Sequence, residues 1–289
     1  MSAPLSHSSA VPTQSPRPVV AATRAATLVL LVAGTSQAYA QHFERDAWLL
    51  VSAFRPTIDS NVRIDGSLSG RGTPVDLESD LGLPDKQTLP SALFGWRFSQ
   101  SFRLEVEYLS LKRSGTRTID RDITWDDTVY PVSATLSGSF NTDVYRASVG
   151  WSAIRTPTAE LGGSLGVHVT RFVALVSGQG SVSGISSPFA AQREDLLVPL
   201  PTLGLFGAMS LTPELRLTGR VDFFSLTYGA YQGGLLNAEA ALSWHFTPNW
   251  SASLGYRFVR YDLDVSKDDL VGAMKYRFNG PSLGVAFAF

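Results

Sequence analysis

The chain has 289 residues, a formal net charge of -1, and charged and hydrophobic fractions of 17% and 44%. This is too apolar for a disordered chain, and the near-neutral balance offers no basic domain for nucleic acid. Without cysteine there is no disulfide framework, thiolate metal site or thiol nucleophile.

Residues 1 to 40 read as an export signal with an extended n-region. Arg17 and Arg24 supply positive charge, and Ala25 to Ala33 is a short apolar run. Ala38-Tyr39-Ala40 then forms a small-x-small cleavage site before Gln41. The run is too short for a spanning helix, which needs about 20 apolar residues. Removing the segment leaves 249 residues (289 − 40), read as one barrel domain over 41 to 289. No later stretch looks like a membrane helix. A membrane chain without apolar helices must close its sheet, because backbone polar groups in lipid need internal partners.

The mature chain has a period of two. Pro90, Ala92, Phe94, Trp96 and Phe98 oppose Ser91, Gly95, Arg97 and Ser99. Phe102, Leu104, Val106 and Tyr108 oppose Arg103, Glu105 and Glu107. Tyr145, Ala147, Val149 and Trp151 oppose Arg146, Ser148, Gly150 and Ser152, and Leu161, Leu165, Val167 and Val169 oppose Glu160, Ser164, His168 and Thr170. From Gly234 to Phe246, Leu236, Ala238, Ala240, Leu242 and Trp244 alternate with Asn237, Glu239, Ala241, Ser243 and His245. That is strand periodicity, not helical spacing.

Tyr108-Leu109, Phe223-Phe224 and Phe258-Val259 each set two apolar residues in succession. A β-bulge would do this by flipping every later side chain. On that reading Val259, Tyr261, Leu263 and Val265 point out and Arg260, Asp262 and Asp264 point in. Gly280-Pro281 reads as a further break.

Short joints at Ser99-Gln100-Ser101, Arg155 to Thr158, Thr212-Pro213-Glu214 and Thr247-Pro248-Asn249 carry turn residues. Between them lie longer joints: Gly66 to Gln87, Asp120 to Asp127, Ser177 to Asp195, Gly229 to Gly233 and Ser266 to Asp269. Nine joints imply ten strands, an antiparallel up-and-down barrel with an even count; eight and twelve are the alternatives.

The chain stops on Leu283-Gly284-Val285-Ala286-Phe287-Ala288-Phe289. This resembles the last strand of Gram-negative outer-membrane proteins, with Leu283, Val285, Phe287 and Phe289 at the alternating positions. In that class the barrel-assembly machinery reads this signal. The plan looks like the small barrels of the outer-membrane protein A and W type. The resemblance implies an outer-membrane location, lipid and lipopolysaccharide neighbours, and a monomer. Ten-stranded members of the class include proteases and an adhesin, but the acidic and histidine signature of those proteases is not found. The segment Val75 to Leu83 looks like the signature of an uncharacterised barrel family.

The inward face is expected to carry Arg97, Arg103, Glu105, Glu107, Arg146, Arg220, Asp222, Glu239, Arg257, Lys275 and Arg277. These could form an ion-paired plug, since a small lumen is filled by side chains, or line a narrow pore. Asp76, Glu78, Asp80 and Asp85 read as a solvated loop face rather than a cation site. Glu239, Ser243 and His245 share the inward face of one strand, and outer-membrane lipid A deacylases use the same residue types, Ser, His and Glu. Residues two apart on a strand are about 6–7 Å apart, too far for a direct serine–histidine bond. No catalytic residue, metal or cofactor is therefore assigned. The function classes left are a porin-like channel or membrane-anchored scaffold, an outer-membrane hydrolase, and an adhesin acting through its loops.

Overall fold

The computed structural model describes residues 45–66, 70–182, 185–228, 231–267 and 270–289. The expected signal segment, with Ala38 and Ala40, lies outside them. Among the described residues the fold is all β. The strands are β1 (Ala47–Phe54), β2 (Thr57–Asp65), β3 (Val75–Asp76), β4 (Leu89–Arg97), β5 (Phe102–Thr118), β6 (Ile123–Trp125), β7 (Thr128–Tyr130), β8 (Thr135–Arg155), β9 (Ala159–Val182), β10 (Ile185–Ser210), β11 (Leu215–Tyr228), β12 (Tyr231–His245), β13 (Trp250–Lys267) and β14 (Leu270–Ala288). Ten of them, β1, β4, β5 and β8 to β14, pair antiparallel in sequence order, and β14 closes on β1.

One circuit of the pairing gives the shear. It runs Ala47, Trp96, Leu104, Val149, Leu165, Leu203, Phe223, Leu236, Arg260, Arg277 and returns to Asp59. The return point is twelve residues along (59 − 47). A shear of twelve over ten strands gives a tilt of about 40° and a backbone radius of roughly 10 Å. The seam runs from Trp48 opposite Ala288 to Phe54 opposite Ser282. Phe289 N donates to Ala47 O at 2.9 Å and Ala47 N to Phe289 O at 3.2 Å. β2 continues β1 past Arg55-Pro56, in register along the upper part of β14.

The start of β1, the end of β14 and the four short turns share one rim, here the lower. Just above it the outward faces are apolar and aromatic. Trp96, Phe98, Trp151, Trp244, Phe246, Trp250 and Phe289 stand exposed there, and Trp250 packs on Phe287 with ring centroids 4.8 Å apart. A second aromatic level holds Tyr108, whose ring lies 5.0 Å from Tyr145, and Tyr256. Their hydroxyls meet polar groups: Tyr108 donates to Asp143 at 3.1 Å, and Asn279 donates to Tyr256 at 2.7 Å. Two aromatic girdles around an apolar band of about 25 Å mark a membrane-spanning barrel. β9 and β10 run 24 and 26 residues, where a crossing needs about 9–11. The upper half of the barrel therefore stands above the lipid.

There the two faces exchange polarity. On β5 the inward residues run Arg103, Glu105, Glu107 and then Leu109, Leu111, while outward Val106 and Tyr108 give way to Ser110 and Lys112. On β13 inward Arg257 is followed by buried Val259, Tyr261 and Leu263, while Arg260 and Asp264 are exposed and Asp262 half-buried. This corrects the expectation of bulges at Tyr108-Leu109, Phe223-Phe224, Phe258-Val259 and Gly280-Pro281. At least one ladder runs through each without a shift: β4–β5 and β5–β8 through Tyr108-Leu109, β11–β12 through Phe223-Phe224, β12–β13 and β13–β14 through Phe258-Val259, and β13–β14 through Gly280-Pro281. The register breaks lie elsewhere, between Ser152 and Ile154 and between Phe189 and Gln192. The doublets mark the membrane surface, where water replaces lipid outside and an apolar core replaces the polar interior. Outside, ion pairs Arg171–Asp195 at 2.5 Å and Arg260–Asp262 at 2.6 Å sit above the belt. The Arg171 guanidinium, bonded to it, holds the Asp195 carboxyl below its ordinary value.

The upper core is closed by loops that fold inward. Val75, Leu77, Leu81 and Leu83 of the first connection are buried with Phe54, Phe140, Phe172, Tyr261, Tyr276 and Phe278 of the walls. The β6–β7 hairpin adds Ile123, Trp125 and Tyr130. Two paired inward glycines, Gly115 and Gly138, seat the Leu81–Gly82 turn. A Cβ at Gly115 would lie 2.8 Å from Leu81 O, and one at Gly138 2.8 Å from Leu81 Cδ1. The acidic segment is thus not a solvated face throughout. Glu78 turns inward to the fully buried Arg113 guanidinium and accepts from Ser60 Oγ at 2.5 Å. Arg113 also donates to Ser60 Oγ at 2.7 Å.

Two outcomes follow for this seat. Gly115→Val costs about 1–3 kcal/mol by overpacking; limited proteolysis should then cut between residues 66 and 88 while the barrel keeps its heat-modifiable gel mobility. Glu78→Ala leaves Arg113 buried without its counter-charge and costs about 3–5 kcal/mol, whereas the pair Glu78→Leu with Arg113→Met recovers most of the loss; denaturant unfolding of the three variants in micelles measures both.

Candidate functional site: a charged layer above a polar hollow

Below the apolar core the lumen is crossed by charges, placed by the pleat of β4, β5, β8, β9, β11, β12 and β13. Glu107 is the hub. It accepts from Arg146 Nε at 3.0 Å, Arg220 Nη2 at 3.1 Å and Arg257 Nη1 at 2.5 Å. Glu105 meets Arg146 at 2.9 Å, Arg103 at 3.2 Å and Arg220 at 3.6 Å. Glu160 takes Arg97 at 2.7 Å and the Ser152 hydroxyl at 2.5 Å, with Arg103 and Arg216 each at 3.8 Å. Asp222 accepts from Asn237 Nδ2 at 3.0 Å and lies 3.5 Å from His168 Nε2. Asn237 in turn accepts from Arg257 Nε at 3.0 Å. Arg220 reaches Glu239 at 3.2 Å.

Nine of the eleven expected lumen charges lie on the inward face: Arg97, Arg103, Glu105, Glu107, Arg146, Arg220, Asp222, Glu239 and Arg257. Lys275 and Arg277 do not. They are exposed, because the inward positions of upper β14 are Met274, Tyr276 and Phe278. Three further inward ion-pair partners lie outside the eleven expected charges: Glu160, Arg216 and Arg113. Glu160 shares the parity of Ser164 and His168, and Arg216 that of Arg220 and Asp222, so the alternation carried the signal.

Beneath the charged layer the lumen is hollow. The cavity, about 240 Å³, opens at the lower rim. Arg97, Arg103, Arg216 and Arg220 stand on one wall with Glu105 and Glu239; the other carries Ser52, Ala241, Ser243, Ser251, Ser253 and Ser282. Arg45 and Trp48 lie at its mouth. Glu239, Ser243 and His245 all face it. Glu239, however, bonds Arg220, and His245 Nδ1 lies 3.3 Å from Glu214 O. Among the described residues no cluster of histidine and carboxylates could hold a metal ion.

No family model and no curated protein sequence matches the chain. Among solved structures, the outer membrane protease OmpT from Escherichia coli aligns at 12% identity, over 84% of this chain and 97% of its own, with a TM-score of 0.56. The attachment invasion locus protein Ail of Yersinia pestis aligns at 12% identity over 84% and 99%, with a TM-score of 0.32. The toluene transporter TodX of P. putida aligns at 9% over 88% and 92%, with a TM-score of 0.33. The first likeness shows a shared fold. A closed ten-stranded barrel with a lipid-facing belt between aromatic girdles is an outer-membrane β-barrel protein, and this chain is one. The lower rim, with both ends and the short turns, faces the periplasm.

Glu107→Gln leaves three guanidiniums short of one charge in a confined lumen and should cost about 3–5 kcal/mol. Glu239→Gln, which loses one contact beside the open hollow, should cost about 1 kcal/mol. Refolding yield, read as the heat-modifiable fraction on a gel, should fall sharply for the first variant and little for the second.

Proposed function

We propose that the protein is a non-conducting outer-membrane barrel that serves as a membrane-anchored scaffold for its external β-platform. The observation that carries this reading is the lumen, filled in two successive layers. The hub of Glu107, Arg146, Arg220 and Arg257 crosses it at mid-height. Above lies an apolar core completed by Leu77, Leu81 and Leu83 of the first loop. An ion cannot pass an apolar core without losing its hydration. The outward Leu283, Val285 and Phe289 on the seam strand fit recognition by the barrel-assembly machinery, and the closure of the sheet by β14 on β1 fits a monomer in lipid.

A hydrolase reading finds less support. The two described histidines are His168, buried in the charged layer, and His245, at the periplasmic rim. Neither stands at the external end, where an outer-leaflet or extracellular substrate would arrive.

Planar-bilayer recording of the refolded chain should give no steady openings. Replacing Leu77, Leu81 and Leu83 together by serine, with Arg257→Ala, should open it. Steady conductance of the unaltered protein would overturn the scaffold reading in favour of a pore.

A further inference from the structure

The periplasmic hollow is a constructed space. A lumen this narrow is ordinarily filled by its own side chains, and the layers above are. Here inward positions on three adjacent strands are small: Ala241 and Ser243 on β12, Ser251 and Ser253 on β13, Ser282 and Ala286 on β14. Larger residues at any of these would close it.

Its walls differ in chemistry. On one side Arg103, Arg216 and Arg220 border the cavity. Across the whole layer six inward guanidiniums (Arg97, Arg103, Arg146, Arg216, Arg220, Arg257) face five carboxylates (Glu105, Glu107, Glu160, Asp222, Glu239), and Arg45 adds a further cation at the mouth. The excess is positive, in a cleft whose low-dielectric walls concentrate the field. On the other side the serine hydroxyls each donate one hydrogen bond and accept two. Trp48 adds an indole at the entrance. An aromatic face, a row of hydroxyls and a cationic wall suit a sugar ring that carries a negative charge. The volume, about 240 Å³, is below the ~300–1,000 Å³ of drug-sized pockets, so the fit is to a single ring. Because the lumen is filled above it, access is from the periplasm alone, and the ligand leaves as it came.

We propose that this hollow is a binding site for an anionic monosaccharide, a sugar ring bearing phosphate or carboxylate, presented from the periplasm. The scaffold reading supplies only the direction of entry. Binding is measured apart from conductance, so either can fail alone.

The test uses the full chain refolded in detergent, titrated calorimetrically with glucose 6-phosphate, glucuronate, glucose and inorganic phosphate. Saturable binding of glucose 6-phosphate or glucuronate is expected, at least tenfold tighter than glucose or phosphate alone; whichever binds tighter identifies the anionic group. Ser253→Trp, which fills the hollow, should weaken it at least tenfold while heat-modifiable mobility is kept. If that variant does not fold, Ser243→Leu takes its place. No saturable binding, or binding unchanged by filling the hollow, overturns the proposal. Equal binding of phosphate alone also overturns it, leaving a simple anion cup.

Discussion

Through the membrane-spanning half each barrel strand is paired on both edges, so the pleat cannot change phase there without breaking two ladders at once. That constraint orders the whole molecule. Once Phe94 or Leu254 faces lipid, every second residue along its strand faces out, for as far as the strand runs. The surroundings change along the way, from lipid to water, while the parity does not. Each strand therefore has to exchange its two patterns at the membrane surface. Outward Val106 and Tyr108 lead to Lys112, and inward Glu105 and Glu107 lead to Leu109 and Leu111. The lower half has a polar interior inside an apolar shell, and the upper half is an ordinary water-soluble sheet around an apolar core.

The charged layer follows from the lower half of that scheme. With the apolar side chains committed to the lipid, the inward positions carry the polar ones. Charges held near 10 Å of a barrel axis are costly unless each finds a counter-charge and hydrogen bonds. The contacts meet that condition by sharing: Glu107 serves three arginines, and Arg220 serves four carboxylates. Such a network adds less net stability than an apolar core of equal volume. Its stronger effect is on register, because a strand shifted by one residue would turn its charges into lipid.

The period-two pattern, the ten strands and the periplasmic turns were legible in the sequence, because pleat and turn chemistry are local. The closing strand was legible too, through Leu283, Val285, Phe287 and Phe289. The phase of the upper strands was not. Two apolar residues in succession arise equally from a bulge and from a change of solvent, and only the register with both neighbours separates them. Lys275 and Arg277 were assigned to the wrong face for that reason. Arg113 went unnoticed although it continues the parity of Arg103, Glu105 and Glu107. Its partner Glu78 lies 35 residues away in a loop, and no local pattern links them. An acidic loop is usually solvated; this one enters the barrel because Gly115 and Gly138 leave space for Leu81.

Filling and emptiness in one lumen have a common cause. Moving up from the periplasmic rim, the inward side chains of β13 and β14 are small: Ser251, Ser253 and Gly255 on one, Ala286, Gly284 and Ser282 on the other. They then become Arg257, Val259 and Tyr261, and Phe278 and Tyr276. A barrel of constant radius with such a gradient in side-chain volume cannot be uniformly packed. It must be void at one end and sealed at the other. Opening the sealed end requires more than moving one side chain, since the first loop, the Arg113–Glu78 pair and the aromatic cluster around Phe172 pack against one another. The void end requires no movement at all. Whatever this barrel exchanges with its surroundings through the lumen, the side-chain volumes direct that exchange to the periplasmic side.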